Sequence, residues 1–336
     1  MAIKVITPGL ATTVQDLGRP GYYHIGIPIS GGMDRFALRA ANMLVGNDEG
    51  AAVLEAVFIG PELELTADAM VAVTGANLPP KVDGVPRESW TAFRVRKGQK
   101  LGFDFLKGGA RAYIAIAGGI DVPVVLGSRS TYALGALGGH KGRKLEAGDE
   151  LAVGREARSV KEGRAVAATL RRAPGSPAEI RAVPGLYWHR ITDEAGKGFF
   201  ADTWKVAPEA DRIGYRFKGG RPLQFVPREQ PFGAGSDPSN IVDACYPYGS
   251  IQVPGGSEPI VLHRDAVSGG GYFMVGTVIS ADMDLIGQLQ PHSPVRFVKV
   301  DVDQALAARA ARTVMLAKVR DSLAVKSSFL GRMLGG

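Results

Sequence analysis

Gly60-Pro61-Glu62-Leu63-Glu64-Leu65-Thr66 is a turn followed by a strict alternation of polar and apolar residues. That is the period-two pattern of a half-buried strand. Similar short segments recur at Val71–Val73, Phe93–Val95, Leu101–Phe105 and Tyr113–Ala117, then at Gln224–Val226, Ser250–Val253, Ile260–Leu262 and Val295–Val300. Most are bounded by Gly, Pro or Asp, as strands joined by tight turns are. A second turn into a strand, Gly220-Arg221-Pro222-Leu223, follows Asp211-Arg212-x-x-Tyr215-Arg216, just as Gly60-Pro61 follows Asp34-Arg35-x-x-Leu38-Arg39. The echo falls once in each half and predicts a mainly β chain with a few helices, built as two related β domains.

The boundary is expected in the basic run Arg155–Arg172, which ends in Ala173-Pro174-Gly175-Ser176-Pro177 before a new strand pattern at Glu179–Val183. The first domain then spans 1–160 and the second 178–300, with a C-terminal helix and tail over 301–336. Two helices stand out. Asp34 is placed to cap one, in which Phe36, Ala40, Met43 and Leu44 follow at helical spacing until Gly46-Asn47 stops it. The other runs over Val302–Leu323, and the tail Lys326–Gly336 is expected to be loose.

With 336 residues, 45% hydrophobic and 22% charged, the chain can bury sizeable cores. A single cysteine, Cys245, excludes an intrachain disulfide and a cysteine-based zinc cluster, and suits a reducing compartment. The opening residues lack the apolar stretch of a signal peptide, and no apolar run reaches the ~18 residues of a membrane span. A cytoplasmic protein with no membrane partner is the expectation. The net charge of +7 is scattered, and its densest run, Arg155–Arg172, has no aromatics to stack on bases, which favours a solvated linker or surface helix over a nucleic-acid site. There is no G-x-x-x-x-G-K-S/T loop, H-E-x-x-H helix, C-x-x-C or G-x-S-x-G elbow. His24, His140, His189, His263 and His292 are too dispersed to suggest a metal centre, and no lysine sits in a biotin-acceptor Ala-Met-Lys-Met context.

Three turn-rich strings carry the remaining polar chemistry. In Thr12–Asp34, Gln15, Asp16 and Arg19 could clamp an amide or carboxylate, or Asp16 and Arg19 could simply pair and hold the loop. In Leu126–Thr131, Arg129 and its neighbouring hydroxyls could hold an anion or form a polar turn. In Gly249–Tyr272, a strand delivers Asp265 to the glycines Gly269-Gly270-Gly271, as a pocket wall with an acid at its rim would. None of these strings names a reaction by itself.

Taken together and in order, Thr13-Val14-Gln15-Asp16-Leu17-Gly18-Arg19-Pro20-Gly21, Gly32-Met33-Asp34, Ala41-Asn42, Leu54-Glu55, Thr74-Gly75-Ala76, Gly118-Gly119, Gly127-Ser128-Arg129-Ser130-Thr131, Asp211-Arg212-x-Gly214-Tyr215-Arg216, Ile251-Gln252-Val253-Pro254 and Gly270-Gly271-Tyr272 resemble the biotin-dependent carboxyltransferase family. That family includes allophanate hydrolase subunit 2, KipA and the 5-oxoprolinase C subunit, and is similar to part of the carboxyltransferase region of urea carboxylase. The resemblance covers about residues 3–300. It implies two cyclophilin-like β-barrel domains and a KipI-like partner (allophanate hydrolase subunit 1, or the 5-oxoprolinase B subunit). The 5-oxoprolinase A subunit, or a biotin carboxylase and carrier, would complete the complex. ATP and biotin are implied for the whole assembly, with biotin on another chain and no cofactor bound covalently here. The implied activity is ATP-dependent lactam hydrolysis or biotin-dependent N-carboxylation of a urea-like substrate. The alternative is a KipA-type regulator that antagonises a KipI-like inhibitor of a sensor kinase.

The resemblance also suggests site roles. Gln15, Arg19 and Gln252 would bind amide or carboxyl groups, with Asp16, Arg129, Arg212 and Tyr272 beside them. Asp34 or Asp265 would be the acid or base, although Asp34 has the helix cap as a second explanation, and Asp211, Arg212 and Arg216 could be a structural ion set beneath the site. Relatives tend to carry Asp-x-Gln-Thr-Thr-Gly-Gly-Tyr-Pro where this chain has Asp265-Ala266-Val267-Ser268-Gly269-Gly270-Gly271-Tyr272-Phe273. Val267 and Phe273 replace an amide and a proline, so no single relative's substrate carries over.

Overall fold

The Glu62–Leu65 strand places Leu63 and Leu65 inward, fully buried. It lies within a six-stranded antiparallel sheet, ordered Glu150–Ala152, Ala2–Thr7, Glu62–Leu65, Lys100–Phe103, Pro80–Val82 and Val85–Pro86. Its inner face meets a five-stranded sheet, ordered Ala11–Gln15, Val53–Val57, Gly108–Ile116, Ala69–Asn77 and Ala92–Val95. Ile3, Val5, Leu101 and Leu151 from one sheet pack on Val14, Leu54, Val71, Val73, Ile114 and Ile116 from the other. The five-stranded sheet is covered on both faces, which is why Ala110–Ile116 is buried without alternation. Helix α1 (Arg35–Leu44) supplies the second cover, with Phe36, Leu38 and Leu44 in one cluster with Val53, Met70, Ala72 and Ala115. The structure, a computed structural model, describes residues 1–324.

The second half closes on itself as a seven-stranded barrel. The order is Ala178–Pro184, Met274–Val278, Ser250–Gln252, Ile260–Leu262, Gly214–Lys218, Trp204–Val206 and Pro294–Lys299. A parallel pairing of Ala178–Ala182 with Val295–Lys299 completes the ring. Its core is aromatic: Phe199 of helix α2 (Asp193–Ala201, capped by Thr192) stacks on Phe297 at 5.0 Å, beside Trp204 and Phe217. A one-turn helix α3 (Met283–Ile286) and helix α4 (Val302–Leu323) follow.

The halves interlock. Met33, in the turn before α1, is buried in the barrel's apolar cluster, while α4 returns to lay Leu316, Val319 and Leu323 in the cluster of α1. Asp301 and Gln304 start α4 with a reciprocal capping box. Gln224–Val226, expected as a strand, makes only the isolated bridge Ile191–Phe225. The Phe225 ring is instead set edge-on against Phe273 at 5.1 Å. The expectation for Lys326–Gly336 lies outside the described residues. No helix among the described residues is long and apolar enough to cross a membrane, and no cluster of His, Cys, Asp and Glu suited to a metal occurs among them.

Candidate functional site at the seam of the two halves

Glu55 sits in the middle of the apolar strand Val53–Val57, yet its carboxylate is almost fully buried. Such a group persists only if it is paired and hydrogen-bonded. Its Oε2 accepts the Met33 N–H (2.9 Å) and the Tyr113 hydroxyl (2.7 Å), and its Oε1 accepts Nη1 of Arg212 at 2.6 Å. Arg212 comes from the barrel half. It also grips Asp265 through Nε (2.7 Å) and Nη2 (3.2 Å), and donates from Nη2 to the Gly31 carbonyl at 2.8 Å. One guanidinium thus ties the strand of Glu55, the Gly31 turn and the segment after Ile260–Leu262. Burial alone would raise the Glu55 pKa, but Arg212 and Arg111 more than reverse this and hold it below its ordinary value. Burial would lower Arg212, and its two carboxylates outweigh that and raise it.

The network continues. Arg111 donates from Nη1 to the Gly287 carbonyl (2.7 Å) and to the Tyr215 hydroxyl. Gln288 donates to the Arg111 carbonyl (3.0 Å) and to Oδ2 of Asp34 (2.9 Å), and its Oε1 accepts the N–H groups of Ala110 and Arg111. Asp34 caps α1 by accepting the Ala37 N–H at 2.9 Å, and its own N–H donates to Tyr113. Its pKa is pushed up to about 7, first by burial and then by the charge of Asp284.

Two hollows flank this seam. One, of about 190 Å³, is lined by Thr13, Glu55, Arg111, Arg212 and Tyr215 among others. The other, of about 500 Å³, lies on the barrel and is lined by Gln252, Ile260, Leu262, Val267 and Tyr272 among others.

Apart from Asp34, which caps α1 and is held by Gln288, the sequence-predicted residues fall in three groups. Arg212 and Asp265 are in direct contact, and Arg19 is close enough to both to feel their charges. Gln252 and Tyr272 share the larger cleft. Gln15, Asp16 and Arg129 belong to the loop framework. Asp16 accepts from the Gly18 N–H (2.7 Å), the hydroxyls of Ser128 (2.6 Å) and Ser130 (2.5 Å), and the Arg129 N–H (2.6 Å), so its oxygens are occupied by two turns. Arg19 therefore makes no ion pair with Asp16. Its Nη2 donates to the Ser130 carbonyl, its Nη1 is buried without a partner, and burial lowers its pKa while Asp16 and Asp265 pull it back. Gln15 donates to Thr13 (3.0 Å) and the Thr131 carbonyl (3.2 Å), and its Oε1 is buried and unpartnered. Arg129 turns outward to Asp121 at 2.9 Å. The loop depends on Gly31: at φ +88°, a Cβ there would stand 2.8 Å from the Gly18 nitrogen.

Sequence reasoning did not assign roles to Glu55, Arg111, Tyr113, Tyr215 or Gln288. The visible signal for the first two was a charge in an otherwise apolar strand, Leu54-Glu55-Ala56 and Ala110-Arg111-Ala112.

A family model described as carboxyltransferase domain, subdomain A and B, matches residues 25–299. The chain is 37% identical over 309 residues to the 5-oxoprolinase C subunit of Escherichia coli K12, covering 91% of this chain and 94% of that protein. It is 33% identical over 347 residues to urea amidolyase of Saccharomyces cerevisiae, covering 98% of this chain but only 18% of that one. The solved structure of Kluyveromyces lactis urea carboxylase superposes with a TM-score of 0.88 at 32% identity, covering 97% of this chain and 30% of that one.

Proposed function

The chain belongs to the carboxyltransferase family of subdomains A and B, and from that we propose that it is one component of a multi-subunit enzyme of the 5-oxoprolinase type, acting on an amide carbon–nitrogen bond. Coverage carries this reading. The matches to the 5-oxoprolinase C subunit take in 94% of the Escherichia coli protein and 97% of the Haemophilus influenzae one. On this reading the KipI-like B subunit and the A subunit complete the enzyme. With no G-x-x-x-x-G-K-S/T loop in the sequence, ATP is assigned to a partner chain.

This chain would then bind and orient. Four of the five Arg212 N–H donors are committed to Asp265, Glu55 and Gly31. The remaining Nη1 N–H belongs to a residue that lines the 190 Å³ hollow. A donor fixed in advance by two carboxylates stabilises negative charge on a carbonyl oxygen without reorganising as the charge develops. Asp265 is a positioning residue for that donor.

A second reading is biotin-dependent N-carboxylation, favoured by the 0.88 superposition on urea carboxylase. Biotin on another chain would supply a transferable carboxyl group. The 500 Å³ cleft is in the size range of small-molecule sites, and its apolar walls with the Gln252 amide and Tyr272 suit a ureido bicycle.

The isolated chain is expected to show no substrate-dependent ATP hydrolysis. Reconstituted with the A and B subunits, it should open 5-oxoproline to glutamate with ATP, without bicarbonate and unaffected by avidin. A requirement for bicarbonate and inhibition by avidin would instead select N-carboxylation. Partner binding without turnover, together with relief of sensor-kinase inhibition, would select the regulatory role.

A further inference from the structure

Beside the seam lies a group of cations that make no ion pair among the described residues. Arg264 is 4% exposed, and its guanidinium stacks over the Tyr248 ring at 4.3 Å. Its Nε has no partner, and no carboxylate among the described residues comes within ion-pair distance of its side chain. Arg35, at the first turn of α1, is in the same position: its Nε is buried and unpartnered. The Tyr248 hydroxyl is the third buried polar group here without a partner. Arg35 and Tyr248 feel each other's charge and that of Arg264, and Tyr23 of the Thr12–Asp34 loop feels Arg264 as well.

Asp284 offsets part of the Arg35 charge, but other cations share it. Asp284 is engaged by Arg312 at 2.6 Å, by Arg172 at 3.4 Å and by the Arg35 backbone N–H at 3.0 Å. His263 uses both ring nitrogens on the backbone, Nε2 with the Met283 carbonyl (3.1 Å) and Nδ1 with the Arg264 N–H (3.0 Å). Burial first, and then the Arg264 charge, keep it neutral. Burial, followed by Arg264, also lowers Arg35 to about 10, a penalty that a bound anion would relieve.

We propose that Arg35, Arg264 and Tyr248 form a subsite for a carboxylate group, adjoining the Arg212–Asp265 pair. With the Arg264 face covered by Tyr248, the guanidinium offers its edge, and an edge suits a planar two-oxygen anion. The subsite joins the seam through the Arg264–Asp265 peptide bond and through the Ser30 N–H, which donates to the Arg264 carbonyl at 2.8 Å. Its role as part of a substrate site rests on the amide-processing reading, whereas its affinity for carboxylates does not.

The test is calorimetric titration of the isolated full chain with acetate, 5-oxoproline, bicarbonate and phosphate at fixed ionic strength in chloride. Saturable carboxylate binding is expected, weakened about tenfold or more in Arg35→Gln and measurably in Tyr248→Phe, two half-buried positions whose folding is checked by thermal melting. Binding of acetate and 5-oxoproline identifies a substrate carboxylate as the source, whereas binding of bicarbonate without either carboxylate overturns the proposal. No saturable carboxylate binding, unchanged affinity in a folded Arg35→Gln chain, or phosphate bound more tightly than every carboxylate overturns the proposal. Because no turnover is measured, failure of the enzymatic reading would leave this result standing.

Discussion

Arg212→Met is expected to lower stability by about 3–5 kcal/mol, because it leaves the buried Glu55 and Asp265 carboxylates facing each other across the seam without their shared cation. The loss should shift the midpoint of urea unfolding without a comparable change in slope. Its pH dependence follows from Glu55. In the native chain this pKa lies below its ordinary value, so the stabilisation is present above the ordinary carboxylate range and is lost as pH falls through the folded value. In the variant, burial acts on Glu55 without the Arg212 charge to oppose it, so the deficit should be largest near neutral pH and shrink in acid, where Glu55 is protonated. A triple variant, Glu55→Gln with Arg212→Met and Asp265→Asn, should recover much of the loss, since it removes the uncompensated charges together. A single Arg212→Met change that leaves the midpoint unmoved would mean that the pair contributes nothing to holding the halves together.

Asp34 should give the opposite pH signature. Its folded pKa of about 7 stands above its ordinary 3.8, so its contribution is fully present below about pH 4 and is lost as pH rises through 7. The change amounts to on the order of 4 kcal/mol at 1.36 kcal/mol per pKa unit. Asp34→Asn keeps an acceptor for the Ala37 N–H, and asparagine is as good a helix cap as aspartate. Denaturant unfolding at a series of pH values should therefore show the variant gaining on the native chain between pH 4 and 8. Because the Asp284 charge is the second cause of the shift, Asp284→Asn should move the transition down. A constant difference between Asp34→Asn and the native chain across that range would place the titration elsewhere.

Local structure was legible where the signal is local. Asp34 followed by apolar residues at helical spacing reads as a capped helix, and α1 runs over Arg35–Leu44 with that cap in place. The Glu62–Leu65 alternation reads as a strand because only one of its faces is buried. The site is different, because its contacts join residues far apart in sequence. Arg212 and Glu55 are 157 positions apart, and neither residue's neighbours disclose the other. Asp16 and Arg19 look like partners because they are close in the chain. The Ser128–Ser130 turn offers Asp16 three donors, two hydroxyls and an N–H, that satisfy it without a second buried charge. Gln224–Val226 has strand composition, but it makes only the single bridge to Ile191, with the Phe225 ring set against Phe273. The charge of the Arg35–Arg264 group was present in the sequence, but its lack of ion pairs emerges only when Asp284 is seen with its other partners.

On the proposed function, this chain contributes the seam around Arg212 and Asp265 to an amide-processing complex. The most direct measurement is ATP-dependent opening of 5-oxoproline by the complex reconstituted with the native chain, without it, and with an Asp265→Asn chain shown by co-purification to assemble. Turnover is expected with the native chain and none without it. With Asp265→Asn, a fall of about 10²-fold is expected, the scale of losing one oriented donor. Turnover that persists without the chain, or that is undiminished by Asp265→Asn in the assembled complex, would contradict the proposed function.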